Sequence, residues 1–385
     1  MIIPPADRTQ SVKEYYFSLK NKEIATMNAD GRTEPVINLG IGAPDGMPPL
    51  PAIERLCAVA RRTDAHKYQS YTGIPELREA FAHWYRRWYH VELDPATQIQ
   101  PLTGSKEGIL LSCMAFLNRG DRVLVPNPGY PTYSSSARLC EAEIVSYDLP
   151  EENGFLPDFD ALESMDLSGV KLMFTNYPNM PTGAPASREL YRRLVDFGRR
   201  HGILICNDNP YSFILNDTPL SILEVPGAMD CCMELNSLSK AHNMSGWRLG
   251  MVAASAEVIR EILKVKSQMD SGIFRGLQLA AVEALESGPE WFEALNAEYA
   301  ARKAEAFRIM DMIGAVYRRD SQGLFVWGRV DRPGSEWSDR LLYGAGVFIT
   351  PGFVFGSNGE NYVRISLCAP VAVLREAQER IKAIL

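Results

Sequence analysis

Several chemistries are missing from this 385-residue chain. Its seven cysteines, at positions 57, 113, 140, 206, 231, 232 and 368, form no C-x-x-C pair and lie mostly inside apolar runs. That spacing excludes a disulfide framework or a zinc ribbon and suits a reducing, cytoplasmic compartment. There are five histidines, none paired at metal-ligand spacing, and neither H-E-x-x-H nor G-x-S-x-G occurs, so metal and serine-hydrolase readings weaken together. A Walker A motif is absent, and "GIGAPDG" (40–46) misplaces the third glycine of a dinucleotide fingerprint. Nucleic acid is also a poor partner: the net charge is -7, the pI is about 5.5, and no long Lys/Arg run is present. The nearest basic stretch, "WYRRWYH" (84–90), reads as a helix with one wet and one packed face. No apolar run is long enough for a bilayer, and "MIIPPADRTQSVKEYY" lacks the basic-then-apolar order of an export signal, so no membrane is expected.

What is present is an ordinary folded composition, 46% hydrophobic and 23% charged, in a chain long enough for two lobes. Apolar, β-rich runs recur at 121–126, 142–149, 170–177, 201–208, 230–239 and 248–255, with helical stretches such as "SRELYRRLVDFGRR" (187–200) between several of them. Runs apolar throughout are strands covered on both faces, and their alternation with helices predicts an α/β fold, a mostly parallel sheet with helices on both sides. After residue 285 a long amphipathic helix (290–313), shorter strands and a closing helix predict a smaller α+β lobe.

In open α/β sheets chemistry gathers beyond the carboxyl ends of the strands. Here the residues in that position are "PNPGYPTY" with Tyr130, "NYPNMPTGA", "NDNPYSF" with Asp208 and Tyr211, and "SLSK" with Lys240. Each has a plain alternative: a turn, a helix cap, a solvated surface lysine. Their shared edge favours a site. "LTGSKEGILLSCMAFL" adds a small-residue turn opening into an apolar helix, which is either a phosphate site using Ser105 and Lys106 or an ordinary N-terminus capped by Ser105. A phosphorylated pyridine aldehyde would use all of these groups.

In this order and spacing, "NLGIGAPD", "YQSYTGIPELREA", "TGSKEG", "VPNPGYPTY", "NYPNMPTGA", "NDNPY", "SLSKAHNMSGWRLG", "TPGFVFG" and "YVRIS" resemble the class I/II aminotransferases of the aspartate-aminotransferase type. The resemblance runs nearly end to end. It implies a fold-type-I enzyme dependent on pyridoxal 5'-phosphate, divided into an N-terminal arm with part of the small domain (1–45), a large cofactor domain (46–285) and a C-terminal small domain (286–385). By the resemblance Lys240 links covalently to the cofactor aldehyde and shuttles the substrate proton, Asp208 faces the pyridine nitrogen, Tyr211 holds the 3-oxygen and Tyr130 stacks on the ring. Gly104, Ser105, Lys106, Ser237, Ser239 and Arg248 match phosphate positions, and Tyr68 matches a tyrosine reaching the neighbouring subunit's phosphate, implying a homodimer. Gly42 and Arg364 match substrate positions, Arg364 as the α-carboxylate clamp. The implied reaction moves the amino group of an L-amino acid to a 2-oxo acid, 2-oxoglutarate by family habit.

One position departs from the pattern: Met180 stands where relatives carry an asparagine that donates to the 3-oxygen, so either Tyr211 alone holds that oxygen, or Asn176 or Asn179 swings in, or the ring electronics differ. A carbon-sulfur lyase, and more remotely a non-catalytic sensor on the same fold, are the competing readings. Arg32 and Arg275 are the conceivable second cations for a dicarboxylic substrate, and "MDSGIF" resembles the diaminopimelate branch of the family.

Overall fold

All six apolar runs read from the sequence are strands of one sheet in the computed structural model, which describes residues 2–30 and 34–385. The strands in chain order are β1 (Ile37–Asn38), β2 (Ile99–Leu102), β3 (Arg122–Asn127), β4 (Glu143–Asp148), β5 (Val170–Thr175), β6 (Leu204–Asp208), β7 (Cys232–Ser237) and β8 (Gly250–Ala254). The seven-stranded sheet has the order β2-β8-β7-β6-β5-β3-β4. Strands β3 to β7 pair in parallel, and β8 runs antiparallel to both of its neighbours.

Burial on both faces explains why the inner runs are apolar; β4, at the sheet edge, departs from that expectation, burying only Tyr147 and exposing Glu143, Ser146 and Asp148. Val123 and Val125 of β3, Leu172 and Phe174 of β5, and Met233 and Leu235 of β7 belong to one core. Their immediate neighbours Leu124, Met173 and Cys232 belong to the other. Successive side chains point to opposite faces of a strand, so each core takes alternate residues. The helix Ser105–Phe116 packs against β7 and β8, while Arg188–His201 packs against β6. In "WYRRWYH", Trp84, Tyr85 and Tyr89 are buried and Arg86 and Arg87 exposed, the two faces read from the sequence.

Strand β2 is not among the runs read from the sequence. Its residues, Ile-Gln-Pro-Leu, are too short and too broken by Pro101 to give a β signal, and an edge strand is where a proline is tolerated. Its presence makes the turn before Ser105 another strand-to-helix turn of the same sheet.

The later part of the chain forms β9 (Val316–Tyr317), β10 (Phe325–Arg329), β11 (Val347–Phe348), β12 (Thr350–Pro351) and β13 (Tyr362–Ser366). An antiparallel sheet of order β12-β13-β10-β9 carries Arg364 opposite both Trp327 and Thr350. The helices Pro289–Met312 and Val371–Lys382 pack together beside it. Strand β1 pairs in parallel with β11, which returns the N-terminal segment to this lobe and leads Gly40–Gly42 toward the large sheet.

Beneath the sheet edge, Glu234 of β7 is fully buried and accepts hydrogen bonds from Tyr85 Oη (2.9 Å), Ser221 Oγ (2.8 Å), Asn207 Nδ2 (2.9 Å) and Ile222 N (3.1 Å). Burial raises its pKa, and these donors oppose the rise. Glu234→Leu strands all four donors and is expected to lower stability by about 3 kcal/mol, read as an earlier urea midpoint, with Glu234→Gln losing less.

Candidate active site

Strand β7 ends at Ser237, whose Oγ accepts from Ser239 N (3.2 Å) and so caps the short helix Leu238–Ala241. That cap presents Lys240 to a cavity of about 440 Å³ at the carboxyl edge of the sheet. The Lys240 amine donates to the carbonyl of Gly42 at 2.5 Å. Burial lowers its pKa, Arg364 and Arg248 lower it further, and Cys368 and Asp208 act in the opposite sense. An amine held this way is closer to its nucleophilic, neutral form than a surface lysine.

Asp208, at the end of the neighbouring β6, lines the same cavity. Its Oδ2 accepts from Tyr133 Oη at 3.0 Å, and its buried Oδ1 has no partner within the protein. Burial pushes its pKa up to about 6, against the lowering effects of Tyr133, Ser105 and Lys240. Tyr211 is buried three residues on, and burial followed by the Asp208 charge raises its phenol. Tyr130 lines the cavity edge-on to Tyr133, with ring centroids 5.5 Å apart.

Across the cavity, the start of the helix Ser105–Phe116 is built around Gly104, which has φ +88°. A Cβ there would sit 2.2 Å from Arg248 Nη2, so both the conformation and the close approach require glycine. Gly104, not Ser105, is the N-cap residue, and no side chain caps this terminus. Instead Glu107 reaches back to accept from Thr103 N at 2.6 Å, which leaves Ser105 free to line the cavity. Arg248, in the left-handed region at φ +58°, donates to Thr103 O (3.1 Å), Ser245 O (2.9 Å) and Ser239 Oγ (3.4 Å). It therefore ties the β2 turn to the β7 turn. Lys106, Ser237 and Ser239 line the cavity beside it, with Ser237 Oγ and Ser239 Oγ 2.9 Å apart.

The far end is formed by the other lobe. Arg364 of β13 donates through Nη2 to Gly40 O (2.7 Å) and through Nη1 to Met180 Sδ (3.2 Å), while its Nε is unpartnered. Burial brings its pKa down to about 10. Gly42 lies under Phe325, whose ring a Cβ would meet at 2.3 Å. Of the two asparagines left open by the sequence, Asn176 lines the cavity, donating to Asp208 O (2.5 Å) and accepting from Met180 N (2.7 Å). Asn179 is turned into its own loop, where Oδ1 accepts from Thr182 Oγ1 at 2.7 Å.

All the residues marked from the sequence as cofactor or substrate groups border this cavity except Tyr68 and Gly104, and Gly104 stands directly behind Arg248. Tyr68 is 91% exposed and away from the cavity of its own chain. Arg275 faces Glu76 at 3.9 Å and is likewise outside it, and Arg32 lies outside the described residues. Sequence reasoning missed Tyr133, although it sits one helical turn after Tyr130, where both face the same way. It also missed Tyr15, Phe17 and Phe325, for which no motif gives a signal, and Phe355, which lies within "TPGFVFG" but was given no role. No group of acidic, histidine or cysteine side chains among the described residues can hold a metal.

With this geometry in place, comparison with known proteins is consistent along the whole chain. Residues 34–381 match the model of the family described as aminotransferase class I and II. LL-diaminopimelate aminotransferases of Oleidesulfovibrio alaskensis and Aquifex aeolicus are each 40% identical to it over 384 residues, covering 98% of either chain. The apo structure of BacF from Bacillus subtilis superposes with a TM-score of 0.94 at 36% identity, covering 100% of this chain and 99% of that one. The chain is a transaminase belonging to the class I and II aminotransferases, a pyridoxal-phosphate-dependent family.

Proposed function

We propose that the cavity holds pyridoxal 5'-phosphate on Lys240 and transfers an amino group from an L-amino acid to a 2-oxo acid. The observation that carries this reading is the buried Asp208 carboxylate, one oxygen unpartnered, lining the same cavity as a desolvated lysine amine. A protonated ring nitrogen is the partner such a carboxylate lacks. The cradle of Ser105, Lys106, Ser237, Ser239 and Arg248, with Gly104 giving the backbone access, suits the phosphate. When bound, the cofactor supplies an electron sink for the pair left as the substrate Cα–H bond breaks.

The chain's own residues then divide the remaining work. Lys240 would hold the cofactor and, with its amine freed, would take up the proton released from the substrate Cα. Asp208 keeps the ring nitrogen protonated, and Tyr133 holds that carboxylate in place. Tyr211 donates to the 3-oxygen, a duty Met180 cannot share because a thioether has no proton to give. Tyr130 covers the ring face, and Arg364 pairs with the α-carboxylate over the glycine surface at Gly42. Tyr68 serves the phosphate of a second copy in a homodimer. Its exposure supports this, together with exposed Tyr71 and Met269 and the approach of Gly272 to Gln69 O in the same region. The unpaired state of all seven cysteines supports a reducing, cytoplasmic setting.

Incubation of the holoenzyme with an amino donor alone is expected to convert the cofactor stoichiometrically to its amine form with release of a 2-oxo acid. Release of pyruvate and ammonia would instead identify a lyase. Lys240→Ala should abolish turnover while still binding cofactor non-covalently, seen by absorbance and gel filtration.

The Asp208 carboxyl, at about 6 in the protein, must be ionised to pair with the protonated ring. Cofactor affinity is therefore expected to weaken as pH falls through about 6, and Asp208→Asn should remove that dependence while lowering turnover at least roughly a hundredfold. Removing the Tyr133 hydrogen bond, which stabilises the ionised form, should move the midpoint of the affinity profile upward in Tyr133→Phe.

Mixing inactive Tyr68 and Lys240 variants is expected to restore up to about a quarter of activity by statistical reassortment of two-site dimers. Recovery of none would argue against a site shared between copies.

A further inference from the structure

Lys266 carries a buried ammonium that has no part in the site described above. It closes the helix Ala256–Lys266, which packs against Ser105–Phe116, and at 1% exposure it is among the most deeply buried large side chains of the described residues. It does not line the cavity. Its Nζ lies 3.7 Å from Glu107 Oε1 and is paired with Asp270 Oδ2. The second oxygen of each carboxylate accepts from the backbone of a turn: Glu107 Oε2 from Thr103 N at 2.6 Å, and Asp270 Oδ1 from Gly272 N at 2.9 Å.

An ammonium this deep needs opposite charge, and a carboxylate beside it that loses the ammonium is left uncompensated. Asp270 keeps 25% of its side chain in water, whereas Glu107 keeps 11% and depends more on the lysine. Glu107 also stands in the first turn of the helix whose N-terminus faces the proposed phosphate. Thr103, whose N–H it holds, accepts from Arg248 Nη2 through its carbonyl at 3.1 Å. The Glu107 carboxylate therefore has two opposed effects. Its hydrogen bond shapes the turn that meets Arg248, while its charge repels a phosphate and competes with it for the positive end of the helix dipole. Lys266 meets one oxygen of Glu107 and leaves the other to Thr103, so it offsets the charge without disturbing the turn.

We infer that Lys266 is a positioning residue for the phosphate: it neutralises Glu107, so that the turn 103–105 keeps its shape without repelling the anion it receives. This role deepens the proposed cofactor reading and rests on it. Lys266 touches neither cofactor nor substrate and acts through Glu107.

The test compares pyridoxal 5'-phosphate with pyridoxal, which has the same ring and aldehyde and lacks the phosphate. Full-length protein freed of cofactor is titrated with each, and the absorbance change gives two Kd values. The Kd of pyridoxal divided by that of pyridoxal 5'-phosphate isolates what the phosphate contributes. Lys266→Met is expected to lower this ratio by about tenfold, as one nearby uncompensated charge would do, with the Kd of pyridoxal little changed. Adding Glu107→Gln to Lys266→Met should restore the ratio, because glutamine still accepts from Thr103 N and carries no charge. Equal weakening of both ligands, or no recovery in the double variant, marks a purely structural lysine and overturns the inference. Should Lys266→Met not fold, Glu107→Gln alone decides. It keeps both the lysine and the Thr103 hydrogen bond and is expected to raise the ratio; an unchanged or lower ratio overturns the inference. Wild-type protein that binds pyridoxal 5'-phosphate no better than pyridoxal overturns the cofactor reading and the inference with it.

Discussion

A carboxylate buried at the end of a parallel strand, with a single hydrogen bond from Tyr133, sets the terms for the rest of this molecule. Burying Asp208 is unfavourable for its ionised form, and the protein relieves only part of that cost through Tyr133, Ser105 and the nearby Lys240. The protein thus carries an electrostatic imbalance that the positively charged ring of the proposed function would correct. The native pKa lies above the value of an unfolded aspartate, so Asp208 binds protons more tightly in the native state. Its contribution to apoprotein stability is therefore greatest at low pH and is lost as pH rises toward about 6. A cationic ligand reverses this balance, which couples cofactor retention to folding.

The same logic governs the opposite end of the cavity. Arg364 is also a buried charge, but its neighbours are aromatic faces, a backbone carbonyl and a sulfur atom, none of which neutralises it. Cation–π contacts and one strong hydrogen bond hold the guanidinium in a fixed plane while leaving Nε without a partner. Such an arginine is poised for a carboxylate. Met180 contributes to this state in a way the usual asparagine would not, since it presents soft sulfur to a nitrogen of the clamp.

How much of this was readable in advance varies with the physics of each element. The strands were legible because burial on two faces leaves apolar runs, as at Val170–Thr175 and Cys232–Ser237. Strand β2 was not, because four residues interrupted by Pro101 carry no pattern and are placed by pairing with β8. Asp208 and Lys240 stood out at strand ends, whereas Arg248, which precedes β8, and Arg364, in the middle of β13, were marked by the family resemblance. The capping role considered for Ser105 did not survive, because Glu107 satisfies the turn from within the helix and Gly104 takes the cap position. The aromatic side chains of the cavity were not assembled, since Tyr15 and Phe17 are hundreds of residues from Phe325 and Phe355 and resemble core-forming side chains, even though Phe355 lies in the quoted "TPGFVFG". Long-range contacts bring that segment near: the β1–β11 pairing, the edge contact of Tyr16 with Phe353, and the packing of Ile24 with Leu342 and Phe348.

That pairing has a geometric consequence. After β1 the backbone presents the Gly40 carbonyl to the Arg364 guanidinium and, two residues later, the Gly42 carbonyl to the Lys240 amine. One short span of chain thus acts as a gauge block, fixing the separation of the Arg364 guanidinium from the Lys240 amine. An α-amino acid carries its carboxylate and its amine on one and the same carbon. Under the proposed function, inserting a methylene between them would put the substrate out of register with both groups, so a preference for α over β would follow from the backbone span that spaces the two side chains.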